Sequence, residues 1–247
     1  MLVYQEISVK DDQDLFIIGD LHGCFDLYQK GVNTLGIRDQ DVVVSLGDLT
    51  DRGKQNFRCT VEFTRKLNRY AIRGNHEDMM IKGLLEGDRR YYECWFQNGG
   101  HTVLDECGEE GATALALMLE DLPVVLVVNY RNMKLGFIHG GYPSVLEHLP
   151  VTEVLPFCLN MNKEQVSRFT ESLMWDRDMI DCALEGILLP RVSGVDYVFH
   201  GHSYVPKPMI SSNRVYMDTG SCFNGNLTFA YFDDSNTLQF YSTLEED

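Results

Sequence analysis

The seven residues GDLTDRG at 47–53, directly after the apolar run VVVSL, constrain this chain more than any other stretch. Residues 42–46 form a short apolar run bounded by glycine, which reads as a buried strand. A Gly-Asp pair at such a strand end sets a carboxylate on a loop whose glycine permits positive φ and close backbone approach. The arrangement recurs: LFII at 15–18 runs into GDLHG, and RYAIR at 69–73 runs into GNHE. Helical apolar spacing follows each loop, in FDLYQKGVNTLG at 25–36, from Asn56 to Leu67, and in DMMIKGLLEG at 78–87. Three rounds of strand, loop and helix predict an α/β fold with reactive residues at the carboxyl ends of strands.

The middle of the chain is plainer. It offers YYECWFQNGG, a helix from Gly111 to Glu120, a strand in PVVLVVNY, and a further strand in KLGFIHGGYP that ends in a histidine. Loop and helix follow from Val151 to Phe169, with the charged aromatic cluster WDRD at 175–178. Strand signals then dominate in DYVFHGHS, RVYMDTGS, NLTFAYF and TLQFYS, separated by turn residues. No Pro-, Gly- or Ser-rich linker divides the chain, so residues 1–247 read as a single domain, and the acidic end LEED reads as a frayed tail.

Charge narrows the partners. With 21 Lys and Arg against 37 Asp and Glu, a net charge of −16 repels nucleic acid and anionic membranes except where positive charge is concentrated. A phosphorylated substrate therefore requires metal ions and a few arginines to reverse the field locally. The opening MLVYQEISVKDDQD lacks a basic leader and an apolar block, and the apolar runs around VVLVV are far too short to span a bilayer. The seven cysteines are odd in number, scattered and without a CxxC pair, which fits reduced thiols in a cytosol. The expectation is a cytoplasmic protein.

Five expected strands end in a metal-ligand residue beside glycine: Asp20, Asp48, Asn75, His139 and His202. Asp20 and His22, two apart in an extended loop, suit one ion, and Asn75, His139 and His202 suit another, with the Asp48 carboxylate shared. This oxygen and nitrogen set without thiolate suits two divalent ions, Mn²⁺ first, with Fe or Zn²⁺ compatible. Two such ions about 3.5–4 Å apart activate a bridging water as hydroxide and polarise a phosphoryl oxygen, so no phosphoenzyme is required. Arg52, Arg73 and Arg177 are the candidate phosphate contacts, because a guanidinium grips phosphate bidentately. A serine or threonine alkoxide leaves poorly without a proton, and His76, next to Asn75, is the candidate general acid, with Asp51 its charge partner.

GDLHG, GDLTDRG and GNHE, then a lone His-Gly and a later Gly-His, resemble the phosphoprotein phosphatase family of metal-dependent Ser/Thr phosphatases. The resemblance runs from about Leu15 to Phe229 and is to the bacteriophage-lambda and enterobacterial branch, with similar NGG, Trp-x-Arg, GH[ST] and DTG segments. It implies the same ligand set, acid pair and phosphate contacts, a phosphorylated protein substrate, and the metallophosphoesterase fold: two packed mixed β-sheets flanked by helices. The strand count alone does not derive two sheets. One departure is HGGYP at His139, where lambda-type relatives carry the bulkier, more acidic HADYP.

Two rivals use the same residues. A dinucleoside polyphosphate hydrolase resembles this framework but typically has alanine in place of Asp51 and aspartate in place of Glu77. An inactive phosphoprotein-binding module is expected to lack a ligand or His76, and none is missing. His101, His148 and His200 are expected to be structural or surface residues, Asp218 to shape a turn, and Cys24 and Cys222 to fill space.

Overall fold

The computed structural model describes residues 2–244, and the acidic end at 245–247 lies outside the described residues. Eleven strands are present among them: β1 Tyr4–Ser8, β2 Leu15–Ile18, β3 Val42–Ser45, β4 Arg69–Ala71, β5 Val125–Tyr130, β6 Met133–Ile138, β7 Tyr197–His200, β8 Met209–Ser211, β9 Arg214–Tyr216, β10 Thr228–Phe232 and β11 Leu238–Ser242. They form two mixed sheets, ordered β1-β5-β6-β7-β9-β8 and β11-β10-β2-β3-β4. The helices are α1 Phe25–Thr34, α2 Asn56–Arg65, α3 Asn75–Leu84, α4 Arg89–Trp95, α5 His101–Leu119, α6 Val154–Cys158, α7 Lys163–Trp175, α8 Asp178–Leu184 and α9 Ser221–Asn224.

Strand alternation builds the layers. Ile17, Val42 and Val44 face Leu126, Val128, Phe137 and Phe199 across the interface between the sheets. The intervening Phe16, Ile18 and Val43 turn outward beneath the helices, joining Phe63, Met80 and Leu115 in a second core. On the outer face of the other sheet, Val125, Val127, Ile138 and Val198 meet Val154, Leu173 and Met174. Each fully buried aliphatic or aromatic side chain contributes about 1.5–3 kcal/mol. Strands β2 to β4 are buried at all but one of their positions because both faces are covered, which is why they read as continuous apolar runs.

The expected three rounds match β2–α1, β3–α2 and β4–α3. Helix α3 starts three residues earlier than its apolar spacing implied, at Asn75, because Glu77 accepts the Gly74 N–H (2.9 Å) and caps the first turn. Helix α5 runs from His101 rather than from Gly111, with a break at Gly108 (φ 68°). The edge strands β1 and β8 are short and half-exposed, and no apolar pattern announced them. Among the described residues, no helix is long and apolar enough to cross a membrane, and all seven cysteines are free thiols.

Candidate active site

The loops after β2, β3, β4, β6 and β7 meet at one edge of the two sheets. His22 N–H donates to the Asp48 carbonyl (2.7 Å), Gly201 N–H to the His139 carbonyl (2.9 Å), and His202 N–H to Asp20 Oδ2 (2.9 Å). Residues from 20 to 202 are thereby tied together by bonds from backbone N–H groups. Nine non-glycine residues have positive φ among the described ones, and five belong to the site: His22 (44°), Asp48 (47°), Asp51 (74°), Arg52 (66°) and His202 (64°). Such conformations cost about 1–3 kcal/mol each and persist where surrounding structure holds them.

The side chains form two groups that share Asp48. His22, Asp48 and His76 converge on one side, and Asp48, His139 and His202 on the other, each set with its ligand atoms within 4.8 Å of one another. His22 Nε2 is 3.5 Å from Asp48 Oδ2, and His139 Nε2 is 3.3 Å from Asp48 Oδ1. Asn75 Oδ1 lies 2.9 Å from both His139 Nε2 and His202 Nδ1. Asp20 joins through its bond from His202.

This donor set fits cations. The Nδ1–H of His139 donates to the Leu46 carbonyl (2.6 Å), so neutral His139 presents a bare lone pair at Nε2 to the oxygens of Asn75 and Asp48. Two acceptors facing each other need a positive centre between them. The Nδ1–H of His22 likewise donates to the Thr50 carbonyl (2.9 Å), freeing its Nε2, and Asp20 Oδ1 is buried with no hydrogen-bond partner among the described residues. The same demand appears in the protonation of the bare site. Burial works against charge on His139, yet the Asp48 and Asp20 carboxylates push it up to about 10. Burial and the neighbouring Asp218 push the Asp20 carboxyl well above its usual range. Burial pushes His22 down to about 3, leaving it neutral and ready to ligate.

Beside this cluster, His76 Nδ1–H donates to Asp51 Oδ2 (2.6 Å), and Trp95 Nε1–H donates to Asp51 Oδ1 (2.9 Å). Both oxygens of a fully buried carboxylate are thus engaged. Burial opposes the imidazolium, but Asp48 and Asp51 outweigh it and raise His76 above the usual histidine range. The Arg52 guanidinium bridges the pair of imidazoles, with Nη1 2.6 Å from His22 Nε2 and Nη2 2.9 Å from His76 Nε2. Arg177 approaches from the His202 side, donating from Nη1 to Ser203 Oγ (3.3 Å).

Arg73 is not brought to this place. Its buried guanidinium lies 3.6 Å from Asp78 Oδ1 and donates to the Glu120 carbonyl. The spacing R-G-N-H-E-D explains these contacts. Asp78 returns on the first turn of α3 as the nearest buried anion, and Lys82 one turn on pairs with it at 2.8 Å.

Sequence reasoning missed three supports. Glu77 accepts the N–H groups of Asp48 (2.9 Å), Leu49 (2.8 Å) and Gly74 (2.9 Å), tying two ligand loops together. Trp95 stood in a segment with no signal beyond an aromatic residue before NGG. That NGG segment itself holds Arg52, through Arg52 N–H to Gly99 O (3.2 Å) and Nε to Asn98 O (3.3 Å). Asp218 does shape a turn, accepting Gly220 N–H (3.0 Å), and His200 is a buried structural residue donating to Ile138 O (2.7 Å).

Residues 14–206 match the family model for calcineurin-like phosphoesterases. The chain belongs to that family. Calcineurin-like phosphoesterases use a dimetal centre, and this chain brings a cluster of histidine and aspartate side chains together around Asp48. This phosphoesterase chain is 29% identical over 231 residues to serine/threonine-protein phosphatase 1 of Salmonella typhimurium, covering 92% of this chain and 96% of the relative. It is 28% identical over 232 residues, with the same coverage, to serine/threonine-protein phosphatase 2 of Escherichia coli. At 23% identity over 248 residues it resembles the bis(5'-nucleosyl)-tetraphosphatase PrpE of a Geobacillus species, covering 92% of this chain and 94% of the relative. Among solved structures, a serine/threonine phosphatase from Saccharomyces cerevisiae superposes with a TM-score of 0.64 at 15% identity, over 100% of this chain and 84% of the other. The chain is a hydrolase of phosphoester bonds, resembling the enterobacterial protein phosphatases.

Proposed function

We propose that this phosphoesterase removes phosphate from phosphoserine and phosphothreonine in proteins, as a single cytoplasmic catalytic domain. The observation that carries the reading is the His76–Asp51 pair at 2.6 Å beside the shared ligand Asp48. An alkoxide leaving group needs a proton at the moment of departure, and a raised imidazolium supplies it. The names of the relatives at 28–29% identity lean the same way.

Asp20, His22, Asp48, Asn75, His139 and His202 would hold the two divalent ions, Mn²⁺ by the oxygen content of the set. When bound, such ions polarise phosphoryl oxygens and lower the pKa of the attacking water. The chain's own groups do the rest. Arg52 presents two planar N–H donors between His22 and His76, suited to two phosphoryl oxygens. Arg177 supplies a second cation from the far side, and with the bound ions these arginines reverse the field of an acidic protein. His76 Nε2 delivers the proton to the departing oxygen, and Asp51, held by Trp95, stabilises the imidazolium beforehand. Arg73 we reassign to positioning, because its contacts with Asp78 and Glu120 brace the entry to α3, which carries Asn75 and His76.

The test is turnover of a phosphoserine peptide and of diadenosine tetraphosphate by chelator-stripped protein, with and without Mn²⁺, for the native chain and His76→Asn. Metal-dependent phosphate release from the peptide, lost in the variant, is the expected result, with phosphotyrosine and aryl phosphates also hydrolysed. The tetraphosphatase relative at 23% identity motivates the other arm. Preference for the dinucleotide would keep the site and replace the substrate, and silence on both with every metal tried would indicate a phosphoprotein-binding module.

A further inference from the structure

The end of α7 and the two residues that follow it, Leu173–Arg177, are clamped between two ligand loops. On one side the N–H groups of Gly140 and Gly141 both donate to the Leu173 carbonyl (2.9 and 3.1 Å). A Cβ on Gly140 would stand 2.6 Å from the carbonyl carbon of Met174, and one on Gly141 would stand 2.3 Å from Asp176 Oδ2. Gly140 is therefore required by its close approach to backbone, whereas a side chain at 141 would displace the Asp176 carboxylate. On the other side, the Trp175 ring meets His202 edge-on with centroids 5.8 Å apart, and Arg177 reaches Ser203.

Asp176 is the member these contacts leave unexplained. Its Oδ2 is buried against Gly141 without a hydrogen-bond partner among the described residues, and so are Arg214 Nη2, Tyr216 Oη and His200 Nε2. These groups share one locality. His200 and Tyr216 are register partners on β7 and β9 with ring centroids 5.1 Å apart, and Arg214, two residues before Tyr216, lies on the same face. Arg214 Nη1 donates to the carbonyl of Tyr142, the residue after Gly141 (2.8 Å). The buried Arg214 guanidinium acts on the carboxylate through its charge. Asp176 thus sits between the glycine pair after His139 and the locality of the buried Arg214.

We propose that Asp176 is a positioning residue for Arg177, fixing the backbone from which the guanidinium reaches the phosphate. The inference rests on the reading that Arg177 contacts phosphate. Arg177 is an exposed, long side chain with a single hydrogen bond of 3.3 Å, so its geometry depends on a rigid base. Immobilising such a side chain on binding is costly unless its anchor is already ordered.

The experiment measures KM, kcat and the inhibition constant of inorganic phosphate for Asp176→Asn, Asp176→Ala, Gly141→Ala, Arg177→Ala and the double variant Asp176→Asn/Arg177→Ala, with metal content and thermal unfolding in parallel. Asp176→Asn keeps the side-chain volume, so it folds even if the smaller residue does not. The expected result is a rise in KM and phosphate inhibition constant of roughly three- to tenfold, with kcat within about twofold and metal content unchanged. The Asp176 effect disappears in the Arg177→Ala background, because the group it positions is gone. Gly141→Ala, whose Cβ must displace the carboxylate, reproduces it. If Arg177→Ala weakens phosphate binding while Asp176→Asn leaves it unchanged, or if the two effects add, the positioning role is refuted. If Arg177→Ala itself leaves phosphate binding unchanged, the contact of Arg177 with phosphate falls, and the inference with it.

Discussion

Replacing Asp51 with asparagine tests the acid more sharply than removing His76. The carboxylate is fully buried and receives two N–H groups, from His76 Nδ1 and Trp95 Nε1. An asparagine has one acceptor oxygen, so one donor meets an amide NH₂, and His76 is driven toward the tautomer with its proton on Nε2. Losing one charge-assisted hydrogen bond withdraws about 1.5–3 kcal/mol from the imidazolium. At about 1.4 kcal/mol per unit, the His76 pKa falls by about one to two units. The acid works when protonated, so its rate declines as pH rises through that pKa, and in Asp51→Asn the decline moves to lower pH. The assay compares pH profiles of kcat for a phosphoserine peptide and for an aryl phosphate with a good leaving group. The peptide reaction needs the proton and loses about 10²–10⁴-fold at neutral pH, whereas the aryl phosphate loses far less. Equal losses for both substrates, or an unshifted profile, would refute the assignment of His76 and Asp51 as the acid pair.

Three further outcomes follow from the same geometry. Trp95→Phe removes one donor to Asp51 and keeps most of the ring, so chemical denaturation shows a loss of about 1–3 kcal/mol, and the peptide kcat falls less than in Asp51→Asn. Asp78→Ala strands the buried Arg73 charge and leaves Lys82 only Glu171 as an anionic partner, and urea unfolding shows destabilisation of about 3–5 kcal/mol. Titrating Mn²⁺ into stripped protein near neutral pH releases protons, because His139, pushed up to about 10 without a cation, must deprotonate to ligate. Metal affinity therefore rises with pH, and calorimetry in buffers of different ionisation enthalpy measures the proton count. The sign for the bare fold is the opposite: with a folded pKa above the unfolded one, the His139 contribution is full below about 6.5 and is lost as pH rises toward 10.

Much of the site was legible because its chemistry is local. GDLHG, GDLTDRG and GNHE each carry a ligand beside a glycine at the end of an apolar run, and the strand period and glycine freedom operate over a few residues. The supports were not legible in the same way. Trp95 bonds a residue 44 positions away, and Glu77 ties down N–H groups 28 and 29 positions before it. Arg73 was read from its place beside a ligand motif, and only the fold brings Asp78 against it.

By itself the sequence determined the α/β class, the three strand–loop–helix units and the candidate ligand types, because these follow from periodicity and side-chain chemistry along the chain. Tertiary structure alone decided the strand order within the two sheets, that Arg52 stands between His22 and His76, and that Arg73 pairs with Asp78. Those outcomes depend on burial shared between distant segments. A carboxylate, a guanidinium and an indole take their roles from which partners remain when water is excluded, and that is set by the packing of the whole chain.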